Sequence, residues 1–244
     1  MIMYMTQFPI NLTLRETRSI LASPYRLHAA IAGCFTPQEG GSLEGRVLWR
    51  IDDVPNGGKN LLIVSPDIPD LRGLNEQIGW ETKRWKTADY EPFLEGIQKG
   101  QVYRFRLKPN PVVSRSKIKD GAGRSKHLAH LTLLQQEAWL VGKEAFENAG
   151  HSVPEQFPQS DTSRAERAGF AIEANPATGL LNLCVSQSQK IQFKAGASGR
   201  PITLTTVLYD GVLRVLDADK LRHALIAGMG RAKGFGCGLI TLSR

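Results

Sequence analysis

Two side chains near the N-terminus, Tyr25 and His28, have the types and the spacing that acid–base chemistry needs. Both lie in the segment YRLHAAIAGCF, which follows Ser23 and Pro24, a pair that is typical of a helix start. Residues three positions apart on a helix share a face, so the phenol and the imidazole could act on one substrate. Histidine serves as general base or general acid near neutral pH. A surface histidine without a role is the alternative.

The other histidines and the cysteines do not form a metal-binding motif. His127 and His130 are three positions apart, but no carboxylate or cysteine stands beside them at ligand spacing. Cys34, Cys184 and Cys237 are far apart and form no C-x-x-C pair, which favours reduced thiols in a cytoplasm. Motifs such as G-x-S-x-G, H-E-x-x-H and the Walker loop are absent. We therefore expect no metal and no cofactor, and an enzyme that relies on histidine.

Positive charge is concentrated in the second part of the chain. The formal net charge is +8, yet residues 1–97 hold 10 Lys and Arg against 12 Asp and Glu, a net of −2. Residues 98–244 hold 21 against 11, a net of +10. A one-sided basic surface is typical of proteins that bind nucleic-acid phosphates. A solvated basic face without a partner is the alternative.

Two basic segments are the candidates for phosphate binding. Residues 99–126 contain nine Lys and Arg against one acid, and their middle, SRSKIKDGAGRSK, is predicted to be a mobile loop that orders on nucleic acid. Residues 174–209 contain no acid and are predicted to form a β-hairpin with the tip AGASG, since a basic ribbon can follow phosphates. The candidate residues are Arg115, Lys117, Lys119, Arg124, Lys126, Lys190, Lys194 and Arg200.

Five glycines fall within eleven residues near the C-terminus, in GMGRAKGFGCG. A glycine-rich loop between a helix and the last strand lets backbone amides approach a phosphate without a Cβ in the way. Tight packing of the last strand is the alternative. The candidate RNA contacts here are Gly228, Gly230, Arg231, Lys233, Gly234 and Gly236, together with Arg26 at the N-terminus of the first helix.

The predicted elements of the first part follow the order strand, helix, strand, strand, helix, strand. Residues 9–17 alternate apolar and polar side chains as a half-buried strand does, and a helix follows from Pro24. GRVLWRIDD and KNLLIVSP are predicted as a hairpin because PNGG between them is a strong turn signal. A short helix over 71–78 and a strand over 82–90 complete the order of a ferredoxin-like unit.

The second part repeats this order on a larger scale. A strand in QVYRFRLKPNPVV must stop at its prolines, and residues 131–149 are predicted as a helix that ends at Gly150. Strands over GFAIEA, LLNLCVSQSQKIQFK and ITLTTVLYDGVLRVL, a helix opened by Asp217 and a last strand in LITLSR follow. The sequence therefore predicts an α+β chain of two tandem ferredoxin-like (RRM-like, βαββαβ) domains, residues 1–97 and 98–244.

No segment predicts contact with a membrane. The longest apolar run, near residues 61–64, is far shorter than the roughly 20 residues that a spanning helix needs. The N-terminal residues lack the basic and apolar regions of a signal peptide. We therefore expect a cytoplasmic protein with no membrane partner.

Three segments resemble the CasE family of CRISPR repeat-processing endoribonucleases, the type I-E branch. They are YRLHAAIAGCF near the N-terminus, FRLKPNPV in the middle and GMGRAKGFGCGLITL at the end. Their order and separations fit essentially the whole chain. The resemblance implies two tandem ferredoxin-like domains, in agreement with the predicted order of elements.

By this resemblance, the expected reaction is cleavage of CRISPR precursor RNA at the 3′ base of each repeat stem-loop, without metal, to give mature crRNA. The ribose 2′-OH attacks the adjacent phosphate and leaves a 2′,3′-cyclic phosphate or 3′-phosphate and a 5′-OH. His28 is the implied catalytic histidine, as general base or general acid, and Tyr25 is its partner. The resemblance also implies that the enzyme stays on the product hairpin, with the other Cascade subunits as partners.

The sequence is also compatible with a protein that binds RNA without cleaving it. Ferredoxin-like domains also occur in RNA-binding or scaffold subunits without catalysis, and the fold does not decide between the two. In such a subunit His28 would have no role. An enzyme acting on a small molecule is disfavoured by the net charge of residues 98–244.

Overall fold

The computed structural model describes residues 2–35, 46–119, 125–142, 147, 163–196, 199 and 201–244, with the backbone alone for 56, 114–119 and 125–127. Within these ranges the strands form a four-stranded sheet, a five-stranded sheet and a two-stranded ribbon. None of the described helices is long and apolar enough to cross a membrane.

The elements of the first part follow the predicted order. They are β1 (Tyr4–Ile10), α1 (Arg15–Leu21), α2 (Pro24–Ala32), β2 (Leu48–Val54), β3 (Gly58–Ser65), α3 (Arg72–Ile78), β4 (Lys86–Asp89) and α4 (Glu91–Glu95). The sheet order is β2-β3-β1-β4 with antiparallel neighbours throughout. This is a ferredoxin-like arrangement, in which each helix connection skips over one strand.

The elements of the second part build the same topology with one strand divided. They are β5 (Val102–Leu107), β6 (Val112–Lys119), β7 (Ser125–Ala129), α5 (Leu133–Val141), α6 (Arg164–Arg167), β8 (Phe170–Ala171), β9 (Leu183–Lys194), β10 (Pro201–Val215), α7 (Ala218–Ala227) and β11 (Ile240–Ser243). The sheet order is β11-β5-β10-β8, and β9 pairs with another stretch of β10. Here β8 and β9 share the place of the second ferredoxin strand. Division of the chain after residue 97 stays a prediction.

Three of the predicted elements differ from the structure. The strand predicted over 9–17 ends at Ile10, because Asn11 Oδ1 accepts hydrogen bonds from the backbone and hydroxyl of Thr13 and turns the chain. The loop predicted over 114–126 is largely the antiparallel ribbon of β6 and β7, whose backbone pairing needs no apolar side chains. Residues 120–124 between these strands lie outside the described ranges.

The helix predicted over 131–149 is also shorter than expected. It ends at Val141, because Gly142 takes a φ of +85° and its N–H closes the last turn on Ala138 O. Apart from Glu147, residues 143–150 lie outside the described ranges. The capping box at its start, in which Thr132 and Gln135 bond reciprocally, was not predicted.

Two apolar cores hold the elements together. In the first, Leu27 and Ile31 of α2 pack with Phe8, Trp49 and Ile63 of the first sheet. The second lies under α5 and α7, where Trp139 stacks on Tyr209 with ring centroids 6.2 Å apart. Leu48 and Val64 of the first sheet belong to this second core. Shared apolar burial therefore sets how the two sheets sit against each other.

A buried guanidinium ties the two sheets at their junction. Arg50 on β2 is only 1% exposed and donates to both carboxylate oxygens of Asp52, at 2.7 and 2.8 Å. It also donates to the carbonyls of Arg106 and Leu239 and to Thr241 Oγ1, at 2.7–2.9 Å. The acceptors on β5 and near β11 leave this buried charge well satisfied, as buried ions must be.

Candidate active site

Helix α2 sets the positions of Tyr25 and His28. It begins at Pro24, with Ser23 extended before it and without a side-chain capping bond. Its apolar stripe of Leu27 and Ile31 is buried in the first core. Consequently His28 is half-buried, whereas Tyr25 is 38% exposed.

The glycine-rich loop of the second part meets His28. Residues Lys233–Phe235 form a short 3₁₀ turn between α7 and β11. The rings of Phe235 and His28 meet edge-on with centroids 6.4 Å apart, and the rings of Phe193 and Phe235 also meet edge-on, with centroids 5.0 Å apart. A Cβ added to Gly234 would lie 3.6 Å from His28 Cε1 and 3.7 Å from Nε2. Residues from both ends of the chain therefore form one site.

The imidazole of His28 is favoured in its neutral form. Burial lowers the pKa of His28 below its ordinary value, because a charged imidazolium is poorly solvated there. Its Nδ1 is buried and has no hydrogen-bond partner within the described residues. The ring lines a cavity of about 320 Å³ that Phe35, Arg46 and Gly234 share. A neutral imidazole facing a cavity can accept a proton from a bound group.

Two basic side chains, Arg46 and Lys233, interact electrostatically with each other, and Arg46 lines this cavity. Lys233 Nζ donates to Ala227 O at 2.7 Å, and burial, together with the charge of Arg46, lowers the pKa of Lys233. Arg46 is exposed at the mouth of the cavity. Their joint positive potential suits a phosphate placed next to His28. The sequence analysis did not predict Arg46, because the neighbouring residues form no motif that indicates a site.

Three of the remaining glycines of the loop, Gly228, Gly230 and Gly236, face protein side chains. A Cβ on Gly236, whose φ is +78°, would lie 2.5 Å from Trp49 Cζ3, and one on Gly228 would lie 2.9 Å from Leu48 Cδ2. A Cβ on Gly230 would meet Trp139 at 3.3 Å. These three close approaches pack the loop against β2 and α5. RNA contact by Gly228, Gly230 and Gly236 stays a prediction.

The other residues predicted to contact RNA lie on several different surfaces of the protein. Lys190 and Lys194 are exposed on β9 and alternate with Ile191 and Phe193, so they lie on the face of the strand away from Phe235. Arg231 is exposed and bridges to Asn110. Arg26 is exposed on α2 and donates to Ser19 Oγ at 2.6 Å.

The basic residues of the ribbon are placed by their backbone only. Arg115 on β6 pairs with Lys126 on β7, and Lys117 and Lys119 lie further along β6. Arg124 and Arg200 lie outside the described ranges. Their contacts with RNA stay predictions.

No metal centre is apparent in the described part of the chain. There, no group of three or more His, Cys, Asp or Glu side chains is placed to hold an ion. Of the two histidines that the sequence puts three apart, His130 is buried, and this burial, with the charge of Arg164, lowers its pKa to about 4.

Comparisons with known proteins identify a family and a set of similar structures. A sequence model of the family described as CRISPR associated protein matches residues 3–244. The CRISPR-associated endoribonuclease Cse3 of Thermus thermophilus is 24% identical over 248 residues, which cover 99% of this chain and 100% of that protein. The structure of Thermus thermophilus Cse3 bound to an RNA representing a pre-cleavage complex has a TM-score of 0.73 at 21% identity, with 100% of both chains covered.

A chain from a larger assembly is also similar. It comes from a CRISPR RNA-guided surveillance complex in a pre-nicking state and has a TM-score of 0.57 at 22% identity, with 98% of this chain and 99% of that chain covered. At these identities the structural matches establish a common fold. The predicted fold of two tandem ferredoxin-like domains is thereby confirmed.

Proposed function

We propose that this chain, which belongs to the family of CRISPR-associated proteins, is the endoribonuclease that cuts CRISPR precursor RNA in its repeats. The observation that carries the proposal is the contact of Gly234 and Phe235 with His28. This contact places a half-buried imidazole against the glycine-rich loop, whose sequence resembles that of the CasE family. The named activity of the Thermus thermophilus relative, matched over its whole length, supports the same conclusion.

The reaction is cleavage at the 3′ base of the repeat stem-loop by an internal nucleophile. The ribose 2′-oxygen forms a bond to phosphorus, and the bond from phosphorus to the 5′-oxygen of the next nucleotide breaks. The products are a 2′,3′-cyclic phosphate and a 5′-OH. This transesterification consumes no water and needs only proton transfers, which an imidazole supplies. Independence from metal ions is part of the proposal.

His28 acts as the general base toward the 2′-OH, and the leaving 5′-oxygen takes its proton from solvent, so that one proton is removed and one is added. Its lowered pKa keeps the imidazole neutral near pH 7, the form that accepts a proton. Tyr25, exposed on the same helix, hydrogen-bonds the 2′-OH or the scissile phosphate. Arg46, which lines the cavity, and Lys233, with which it interacts, offset negative charge that builds on the phosphate in the transition state.

The hairpin of the repeat binds on the basic second part. We assign phosphate contacts to the β6–β7 ribbon, to Lys190 and Lys194 on β9 and to Arg231 in the loop. After cleavage the enzyme stays on the crRNA hairpin as a subunit of Cascade, by analogy with the similar chain in the surveillance complex. We place the protein in the cytoplasm, where precursor RNA is transcribed.

The test is cleavage of the protein's own repeat RNA in the presence of EDTA. We expect one cut at the 3′ base of the stem, a cyclic phosphate on the 5′ product and no cut in RNA with a single 2′-deoxy nucleotide at that position. The deoxy RNA should bind as tightly as the ribose RNA. Normal cutting of the deoxy RNA would overturn the internal nucleophile, and loss of all cutting in EDTA would overturn metal independence. Tight binding without any cutting would favour the scaffold reading.

A further inference from the structure

A second cavity is lined by residues of both sheets and by Phe235. It has a volume of about 350 Å³, and its walls come from both parts of the chain. Pro24 and Leu27 of α2 and Trp49 of β2 face Gln187 and Gln189 of β9 across it. Because Phe235 lines this cavity and also meets His28 at 6.4 Å, the cavity begins one aromatic ring from the candidate catalytic residue.

The backbone at Gln187 is strained where it enters this cavity. Gln187 has a φ of +49°, a left-handed conformation that is uncommon for a residue with a side chain. The register of β9 against β10 shifts at this point, between Thr206 and Leu208. Bulges of this kind redirect a side chain out of the regular alternation. Here the bulge makes Gln187 part of the cavity wall, where its side-chain amide donates a hydrogen bond to the carboxylate of Asp53.

The charges of the cavity are nearly all paired within the protein. Lys59 pairs with Asp53, and Arg106 pairs with Asp210 at 2.6 Å. Lys108 also lines the cavity; it is in no close ion pair within the described ranges, although its charge helps to lower the pKa of Asp53. The ammonium of Lys108 is thus the group that could bind a phosphate. The side-chain amides of Gln187 and Gln189 and several apolar side chains line the same cavity.

We propose that this cavity holds one unpaired nucleotide of the bound RNA, adjacent to the cut, and that Gln187 reads the edge of its base. The inference rests on the proposed function, because it takes the occupant from the RNA that His28 cleaves. Side-chain amides form paired hydrogen bonds with base edges, with adenine above all. Unpaired bases turned out of the strand are the usual targets of sequence-specific RNA recognition. Lys108 contacts the phosphate of this nucleotide.

The experiment measures RNA affinity with one abasic nucleotide placed in turn at each unpaired position beside the stem. For the wild-type protein we expect one position at which the abasic RNA loses about tenfold in affinity, the size of one good base contact. Gln187→Ala should lose about tenfold with intact RNA and nothing further with that abasic RNA. Gln77→Ala, exposed on α3 of the first part and outside the cavity, is the control and should bind normally.

A second variant separates the side chain of Gln187 from its backbone. Glycine adopts a positive φ without strain, so Gln187→Gly should melt at or above the wild-type temperature. Its affinity for the intact RNA should still be about tenfold lower than that of the wild type. Three results would each overturn the proposed nucleotide pocket. They are a normal RNA affinity of Gln187→Gly, an affinity loss of Gln187→Ala that adds to the loss caused by the abasic nucleotide, and the absence of any position at which an abasic nucleotide weakens binding. Failure of the proposed function would instead show as intact hairpin RNA left uncut by the wild-type protein.

Discussion

The backbone of Gly234 lies against the imidazole of His28, although the two residues stand near opposite ends of the chain. A Cβ on this glycine would be 3.6 Å from Cε1 and 3.7 Å from Nε2, which is ordinary van der Waals contact. Next to it, Phe235 meets the same ring edge-on. The glycine-rich loop is therefore one wall of the candidate active site, and changes in either part of the chain should affect cleavage through this contact.

His28→Ala should slow single-turnover cleavage by about 10²–10⁴-fold, because a general acid–base group contributes a factor of that size. Affinity for the repeat hairpin should stay normal, since we assign the phosphate contacts to other residues. His223→Ala on an exposed position of α7 is the matched control and should cut at the wild-type rate. Wild-type cutting by His28→Ala would remove this histidine from the mechanism.

The cleavage rate should depend on pH as expected for a general base of lowered pKa. Burial lowers the pKa of His28, so the neutral, proton-accepting form persists to pH values below the ordinary histidine range. We expect a constant rate near pH 7 to 8 and a decline only as the pH falls through that lowered pKa. A rate that declines as the pH rises through it would assign His28 the role of general acid instead.

Lys190 and Lys194 test where the RNA phosphates lie. Replacing both with alanine should weaken binding of the repeat hairpin and flatten its dependence on salt. Each lost contact should reduce the slope of log K against log salt by about 0.7–0.9. Lys86→Ala on β4, exposed on the first sheet, should leave the slope unchanged. A slope unaffected by the double variant would place the phosphates elsewhere.

The order of elements was predictable because it depends on local patterns. Alternating strands, the PNGG turn and the Ser23–Pro24 helix start each signal within a few residues, and the repeated βαββαβ order then implies the sheet topology. The ribbon of β6 and β7 was missed because its pairing comes from the backbone and SRSKIK carries no apolar alternation. The end of α5 was missed because Gly142 looked like an interior glycine.

The site itself was only half predictable. Tyr25 and His28 are signalled by their spacing on one helix, but the contact between His28 and Phe235 depends on how two sheets pack. Arg50 gives no local signal either, since its acceptors on Arg106, Leu239 and Thr241 lie far along the chain. The positive φ of Gln187 follows from a register shift against β10. Such features arise from tertiary contacts alone.

Arg50→Met should destabilise the fold by about 3–5 kcal/mol, because removing one partner of a buried ion pair leaves the other uncompensated. Asp52, whose side chain is 14% exposed, would keep its charge without a partner. Urea unfolding measures this loss, and the double variant Arg50→Met, Asp52→Leu should recover part of it. A loss below about 1 kcal/mol, the usual value of an exposed pair, would show that the junction of the sheets does not depend on Arg50.

Gly234→Ala and Gly236→Ala should fail in different ways. At Gly236 the φ of +78° and the ring of Trp49 at 2.5 Å oppose any side chain, so alanine should cost folding stability of about 1 kcal/mol or more. At Gly234 the nearest atoms are those of His28, at an ordinary contact distance, and the fold should accept a methyl group. We expect RNA to approach the imidazole through the space that this methyl group would occupy.

We therefore expect Gly234→Ala to melt as the wild type does but to cleave and bind the repeat RNA more weakly, and Gly236→Ala to melt at a lower temperature. Thermal unfolding, hairpin affinity and single-turnover cleavage of both variants, measured side by side, separate these effects. Gly228→Ala, whose Cβ would meet Leu48, extends the comparison and should resemble Gly236→Ala. If Gly234→Ala binds and cuts normally, RNA does not approach His28 along this backbone, and all the glycines of the loop serve packing alone.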